Sequence, residues 1–385
     1  MRISTLVAAV CLATSSAHAA DFELPKQVVW TAYGTGSAGY NQAVAIGAAL
    51  KDVAGVNLRI LPADNDVSRL EPMRQGKVDF SANGIGVYLA QEGAFAFGNK
   101  EWGPQPIRVL ATDPGGGVAM SLGIARDVCA KVGKPDCKGL VPSDIKGMRV
   151  ASFKGAPALN VNTSAWLAYA GLTWDDVTKV EFGGFGAAWK ALVEGGVDAV
   201  FSATNAGVCY EMASSPRGLV WMPFDPNDEA AFKRLTDVAP YYVKVHATAG
   251  ATLDDTSGAD MAAFPYPILI NYANSDADLA YNMTKAMFDL LPDYSGKAPG
   301  IDGWALKFQA LQWVIPYHDG AIRYYKEAGV WSDAAQKHND MLIARQDALA
   351  AAWEDLKAAA PADWKAAWPE KRREALKAGG FKVAF

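Results

Sequence analysis

Apolar positions along this chain follow two spacings that take turns. Short, nearly continuous apolar runs predict strands at 27–32, 56–61, 78–82 and 107–112. Between them, small and apolar residues at helical spacing (Ala43, Ile46, Gly47 and Leu50 in the first case) predict helices at 40–53, at 67–75 up to Gly76, and from 87 to 92. Strands alternating with helices imply an α/β unit with a parallel sheet covered on both faces. The pattern then restarts. Strands are expected at 119–125, 180–182 and 198–202, with a short helix or turn over 144–151 feeding a further strand, helices at 158–170 and 185–194 and a surface excursion at 126–142. Strand character returns at 241–245 and 268–272, followed by a helix at 277–290. From 306 onward the chain reads as helical, and its tail is amphipathic but too irregular for a heptad repeat. Two similar α/β units imply two lobes facing a cleft. The expected division is a leader at 1–19, a first lobe from 20–115 together with 241–330, a second lobe at 116–240, and a C-terminal helical extension at 331–385.

The leader carries Arg2, an apolar run over 3–13 and the small residues of Ala17-His18-Ala19, the pattern of a cleaved export signal. The run is shorter than the roughly 20 residues a membrane span needs, so no anchor is expected in the mature protein. Cleavage leaves about 365 residues, a length that suits two domains. Apolar content of 51% and charged content of 20% describe an ordinary globular protein. The net charge of −5 argues against a nucleic-acid partner. In an oxidising compartment Cys129 and Cys137 are placed to close a short loop, and Cys209 is left as a thiol.

The turn Tyr33-Gly34-Thr35-Gly36-Ser37-Ala38-Gly39 joins the first strand to the first helix. Such a turn leaves N–H groups converging at a helix N-terminus, where they hold a small anion. Thr35 and Ser37 add hydroxyls, and Tyr33 is placed to wall the site. Gly34-x-Gly36-x-x-Gly39 also looks like a dinucleotide fingerprint. The acidic residue expected about 20 residues on comes late, at Asp64 or Asp66, and an exported protein has no supply of NAD. Asp66 reads as a helix N-cap, with Asn65 facing the cleft. Ser81 and Asn83 end the third strand, and ligands of open α/β sheets bind outside the carboxyl ends of strands. In the second unit Lys154 is the best-placed counter-charge for a carboxylate. Gly155 and Ala156 follow it, and Pro157 opens the next helix. Thr204 and Asn205 close the last strand on the cleft side. No nucleophile elbow or His-Glu-x-x-His helix is present in the sequence, so an enzyme is not expected. No metal or other cofactor is expected either.

Four segments carry a resemblance to the TAXI-type solute receptors of TRAP transporters, and it spans most of the mature chain. They are Tyr33 to Tyr40, Arg69 to Phe80, Asp144-Ile145-Lys146-Gly147-Met148-Arg149-Val150, and Ala191 to Phe201. The resemblance implies a two-lobed type II periplasmic binding protein fold, here with extra C-terminal helices. It implies a small organic anion or amino acid as ligand, TRAP membrane subunits as partners, and the periplasm as location. By motif position it assigns Gly34, Thr35, Gly36, Ser37, Asn65, Ser81, Asn83 and the loop from Lys154 to Asn160 to the site. The chain departs from the family at Gly155-Ala156-Pro157-Ala158, where two hydroxyl contacts are missing, a change that favours a less polar ligand. The rival readings are a periplasmic sensor that signals to a membrane kinase, and a periplasmic enzyme.

Overall fold

The computed structural model describes residues 21–385, so the expected leader, with Cys11 and His18, lies outside the described residues. The first stretch runs β1 (Gln27–Tyr33), α1 (Ala38–Ala54), β2 (Asn57–Ala63), α2 (Asp66–Arg74), β3 (Phe80–Asn83), α3 (Gly86–Gln91) and β4 (Ile107–Thr112). The second runs β5 (Met120–Ala125), β6 (Arg149–Phe153), α4 (Pro157–Tyr169), β7 (Thr178–Phe182), α5 (Phe185–Glu194), β8 (Ala199–Ala203), α6 (Gly207–Ser214), β9 (Leu219–Trp221) and α7 (Glu229–Val238). The last holds β10 (Val243–Ala247), β11 (Ala259–Ala263), β12 (Ile268–Tyr272), α8 (Ala277–Asp289), α9 (Leu291–Tyr294), α10 (Asp319–Glu327), α11 (Asp333–Ala359) and α12 (Trp364–Ala378).

These strands form two five-stranded sheets, one per lobe, in the orders β2-β1-β3-β12-β4 and β7-β6-β8-β5-β9. Neither is wholly parallel, which corrects the expectation of parallel sheets. The β1, β2 and β3 strands run parallel, but β12 runs antiparallel to both β3 and β4. In the second sheet β5 opposes β8 and β9. The reason is connectivity. The chain leaves the first sheet at the carboxyl end of β4, builds the second sheet, and re-enters the gap between β3 and β4 at that same end, so β12 runs back against both. The strand expected at 241–245 is β10, which pairs with β11 alone in a separate ribbon.

Helix α1 shows how the local sequence sets an element. The Ser37 hydroxyl caps its start by accepting the Tyr40 N–H, and Gly55 ends it in the left-handed conformation (φ +66°) that glycine adopts at no steric cost. Ala43, Ile46, Ala49 and Leu50 face the sheet and are buried. In the second lobe Trp189 of α5 is fully buried against Gly123 of β5, where an added Cβ would sit 2.7 Å from the indole. Cys129 and Cys137 form a disulfide, and Cys209 is a buried thiol.

The expectation of continuous helix from 306 is corrected. Only a single turn forms at Leu306–Phe308, and helix resumes at Asp319. Pro316, which lacks the N–H a helix needs, sits in the intervening stretch. There Tyr317 bridges to Val109 of β4, and the His318 ring accepts the Gly320 N–H at 3.1 Å to cap α10. The helices α11 and α12 pack on each other through Trp353 and Trp368, whose rings meet edge to face at 4.8 Å. Glu92, fully buried, fastens them to the first lobe. Arg345 donates to both of its carboxylate oxygens at 2.7 Å, and Arg372 donates to Oε2 and to the Glu92 carbonyl. No helix among the described residues is long and apolar enough to cross a membrane.

Candidate functional site

The two lobes meet at the ends of their strands, and a small cavity lies between them. From the first lobe come Tyr33 at the end of β1, Ser37 at the start of α1, and Gly84 and Ile85 after β3. Phe264 and Tyr266 join them from the segment leading into β12. From the second come Met120, Leu159 and Asn162 of α4, Phe185, Phe201 and Ser202. The free space is 40 Å³, room for roughly three water molecules. The lobes are therefore drawn together over the site.

The walls are mainly aromatic and aliphatic. Tyr33 and Tyr266 meet edge to face at 5.4 Å. Enclosure strips the Tyr33 hydroxyl of water and pushes it up to about 12, against the pull of Arg69. The Tyr266 hydroxyl, also pushed up by burial, meets the Gly39 N–H and the Ser37 hydroxyl. Asn162 accepts the Tyr241 hydroxyl at 2.9 Å through Oδ1, and its Nδ2 has no protein acceptor among the described residues.

Behind Tyr33 runs a buried polar chain. Arg69, with no exposed surface, lays its guanidinium 3.5 Å from the centre of the Tyr33 ring. Its Nε donates to Asn83 Oδ1 at 2.6 Å, one terminal nitrogen to the Ala63 carbonyl at 3.0 Å, and the other to Asp66 Oδ1 at 2.7 Å. Asn83 donates in turn to Ser81, whose hydroxyl pairs with Thr31 at 2.6 Å. At the far end, Asp66 Oδ2 accepts the Ala158 N–H across the cleft at 2.8 Å. Burial raises the Asp66 carboxyl, while Arg69 and the Ala158 N–H oppose that rise. One carboxylate thus joins the first lobe's sheet to the N-terminus of α4.

Of the residues singled out in the sequence, Tyr33 and Ser37 line the cavity. Gly36 adopts φ +87° and lies against the second lobe, where its carbonyl would stand 3.2 Å from a Cβ on Gly207. Gly34 packs against Asp64, and Thr35 is exposed. Asn65 rather than Asp66 is the N-cap of α2, with Oδ1 accepting the Ser68 N–H at 2.9 Å. This frees Asp66 to point at the other lobe. Ser81 and Asn83 sit in the polar chain behind the wall. Lys154 and Gly155 are exposed, and Ala156 is the buried residue before α4. Asn160 is bound both ways to the Phe153 backbone at 2.8 Å. Thr204 bridges Ala119 and Ala249, and Asn205 donates to the Pro299 carbonyl at 2.8 Å. Sequence reasoning named no functional role for Arg69, Asn162 or the aromatic walls other than Tyr33. The one signal for Arg69 was its spacing from Asp66, three residues on along a helix.

Residues 123–329 match the NMT1-like family. Among solved structures, the chain is similar to a Bordetella bronchiseptica RB50 protein, at 16% identity over 82% of this chain and 98% of that one, with a TM-score of 0.44. It is similar to the alkanesulfonate-binding protein SsuA from Xanthomonas axonopodis pv. citri bound to MOPS, at 14% identity over 82% and 83% of the two chains, with a TM-score of 0.44. An ancestral arginine-binding protein bound to arginine matches at 13% identity over 71% and 97%, with a TM-score of 0.42.

Proposed function

Because the chain belongs to the NMT1-like family, we propose that it is an exported solute receptor that encloses a small molecule between its lobes and delivers it to membrane permease subunits. The observation that carries this is the interlobe cavity, walled from both sides by residues at strand ends and helix starts. Solute contacts made only when both walls are in place favour the closed arrangement, and closure is what a permease can read. The receptor leaves its solute chemically unchanged. The Cys129–Cys137 disulfide supports an oxidising compartment such as the periplasm.

The four segments of TAXI resemblance support TRAP-type subunits as the permease, and receptors of the family they resemble typically take a small organic acid or amino acid. Two measurements test these points. In a thermal-shift screen of the mature protein against small solutes, a cognate solute at 100 times its Kd is expected to add about 2.7 kcal/mol of stability. Failure of every solute to raise the melting temperature would remove the receptor reading. Uptake into vesicles carrying the cognate permease is expected to follow an ion gradient. Uptake that instead requires ATP would remove the TRAP assignment alone.

A further inference from the structure

We infer that the interlobe cavity is built for an uncharged solute with an acceptor group such as an amide carbonyl, and that Asp66 is the residue that keeps anions out. This rests on reading the cavity as a solute site, and it departs from the organic acid that the resemblance implies.

Among the described residues, no ionised side chain lines the cavity. Its walls are the rings of Tyr33, Phe185, Phe201, Phe264 and Tyr266 with aliphatic neighbours, the hydroxyls of Ser37 and Ser202, and Asn162. The nearby cation is already committed: Arg69 spends its donors on Asp66, Asn83 and the Ala63 carbonyl, and its face on Tyr33. The cation expected from the sequence, Lys154, is exposed to solvent and not part of the wall. Two of the helix starts that border the cavity, those of α1 and α4, are partly engaged, while those of α5 and α6, at Phe185 and Ala206, carry no side-chain cap. At α1 the Ser37 hydroxyl takes the Tyr40 N–H, and the Gly39 N–H faces the Tyr266 hydroxyl. At α4, Pro157 has no N–H to offer, and that of Ala158 is held by Asp66. The positive end of α4 therefore already has its anion, supplied from the opposite lobe.

A carboxylate entering this space would lose its water, meet no free counter-charge and lie close to a second carboxylate. A neutral solute escapes that desolvation cost. It also finds a ready donor in Asn162 Nδ2, whose orientation is set by the Tyr241 hydroxyl on Oδ1.

The test is calorimetric titration of the mature protein with matched small pairs: acetamide and acetate, propionamide and propionate. The native protein is expected to bind amides at least about tenfold tighter than the matched acids. Asp66→Asn, shown to be folded by its melting curve, is expected to narrow that gap to about threefold or less. Asn162→Asp keeps an acceptor for Tyr241 but removes the free donor, so it is expected to weaken amides by about tenfold. It also serves if Asp66→Asn does not fold. Acids binding the native protein as tightly as amides would overturn the inference and leave the receptor reading standing. A gap unchanged in folded Asp66→Asn would remove the role given to Asp66, and amide affinity unchanged in Asn162→Asp would remove the polar contact. A native protein that binds neither series at millimolar concentration would overturn the inference together with the reading of the cavity as a solute site.

Discussion

Asp198, just ahead of β8, accepts the Arg149 backbone N–H and two guanidinium nitrogens at 2.6–3.0 Å, with Lys131 at 3.4 Å. Burial alone would raise this carboxyl, yet the bonds from Arg149 hold it down to about 2. A carboxyl depressed in the folded state stabilises the fold above its ordinary pKa. That contribution is lost as pH falls through about 2. The drop from 3.8 to about 2 corresponds to about 2 kcal/mol. Urea unfolding of the native protein at pH 5 and near pH 2 should show that loss on top of the general acid effect, and Asp198→Asn should lack it. Identical pH slopes in the two proteins would remove the assignment. At this scale the sequence was legible in part. Tyr33 and Ser37 stand where strand-end reasoning placed them, at the junction of β1 and α1. Asn65 and Asp66 exchanged roles, because both side chains can cap a helix and only the opposing lobe decides which is needed elsewhere. A buried arginine such as Arg69 shows only its spacing from Asp66 locally, since its other partners Asn83 and Ala63 are brought to it by the sheet.

Elements with a strong periodic face were legible nearly to the residue. Helix α5 and strand β4 coincide with the expected 185–194 and 107–112. Strand direction was not legible, because side chains alternate with a period of two whichever way a strand runs. β12 and β5 therefore read like their parallel neighbours. Gly123 marks a place where one element depends on another. It sits mid-strand in β5 because Trp189 and Leu219 leave no room for a side chain, with an added Cβ at 2.7 Å and 3.0 Å from them. Gly123→Ala is expected to cost about 1–3 kcal/mol through overpacking, measured by urea unfolding. A change within about 0.5 kcal/mol would mean that the indole shifts freely there.

For the whole molecule, the joint between the C-terminal helices and the first lobe depends on one buried charge. Glu92 is shared by two arginines, one from α11 and one from α12. Glu92→Gln leaves both guanidinium groups short of charge in a dry site, and a broken buried pair of this kind costs about 3–5 kcal/mol. Limited proteolysis should then cut early within 331–385 while the second lobe stays intact. A digestion pattern like that of the native protein would show that the remaining ties, Trp368 Nε1 to the Gly93 carbonyl and Gln346 Nε2 to Gln91 Oε1, suffice to hold the extension. The extension itself was visible in the sequence as amphipathic helix. Its anchor was not, because Glu92 and its two arginines are more than 250 residues apart.

The seat of β12 between β3 and β4 also sets an order of events during synthesis. The second sheet is contiguous in sequence and can form as soon as β9 has emerged. The first sheet cannot close until residues 113–267 have passed, and until then β3 and β4 each present an unpaired edge. Open edges of this kind recruit other chains, so the waiting first lobe, rather than the finished fold, is where this protein is exposed to aggregation and where a chaperone would find its binding surface.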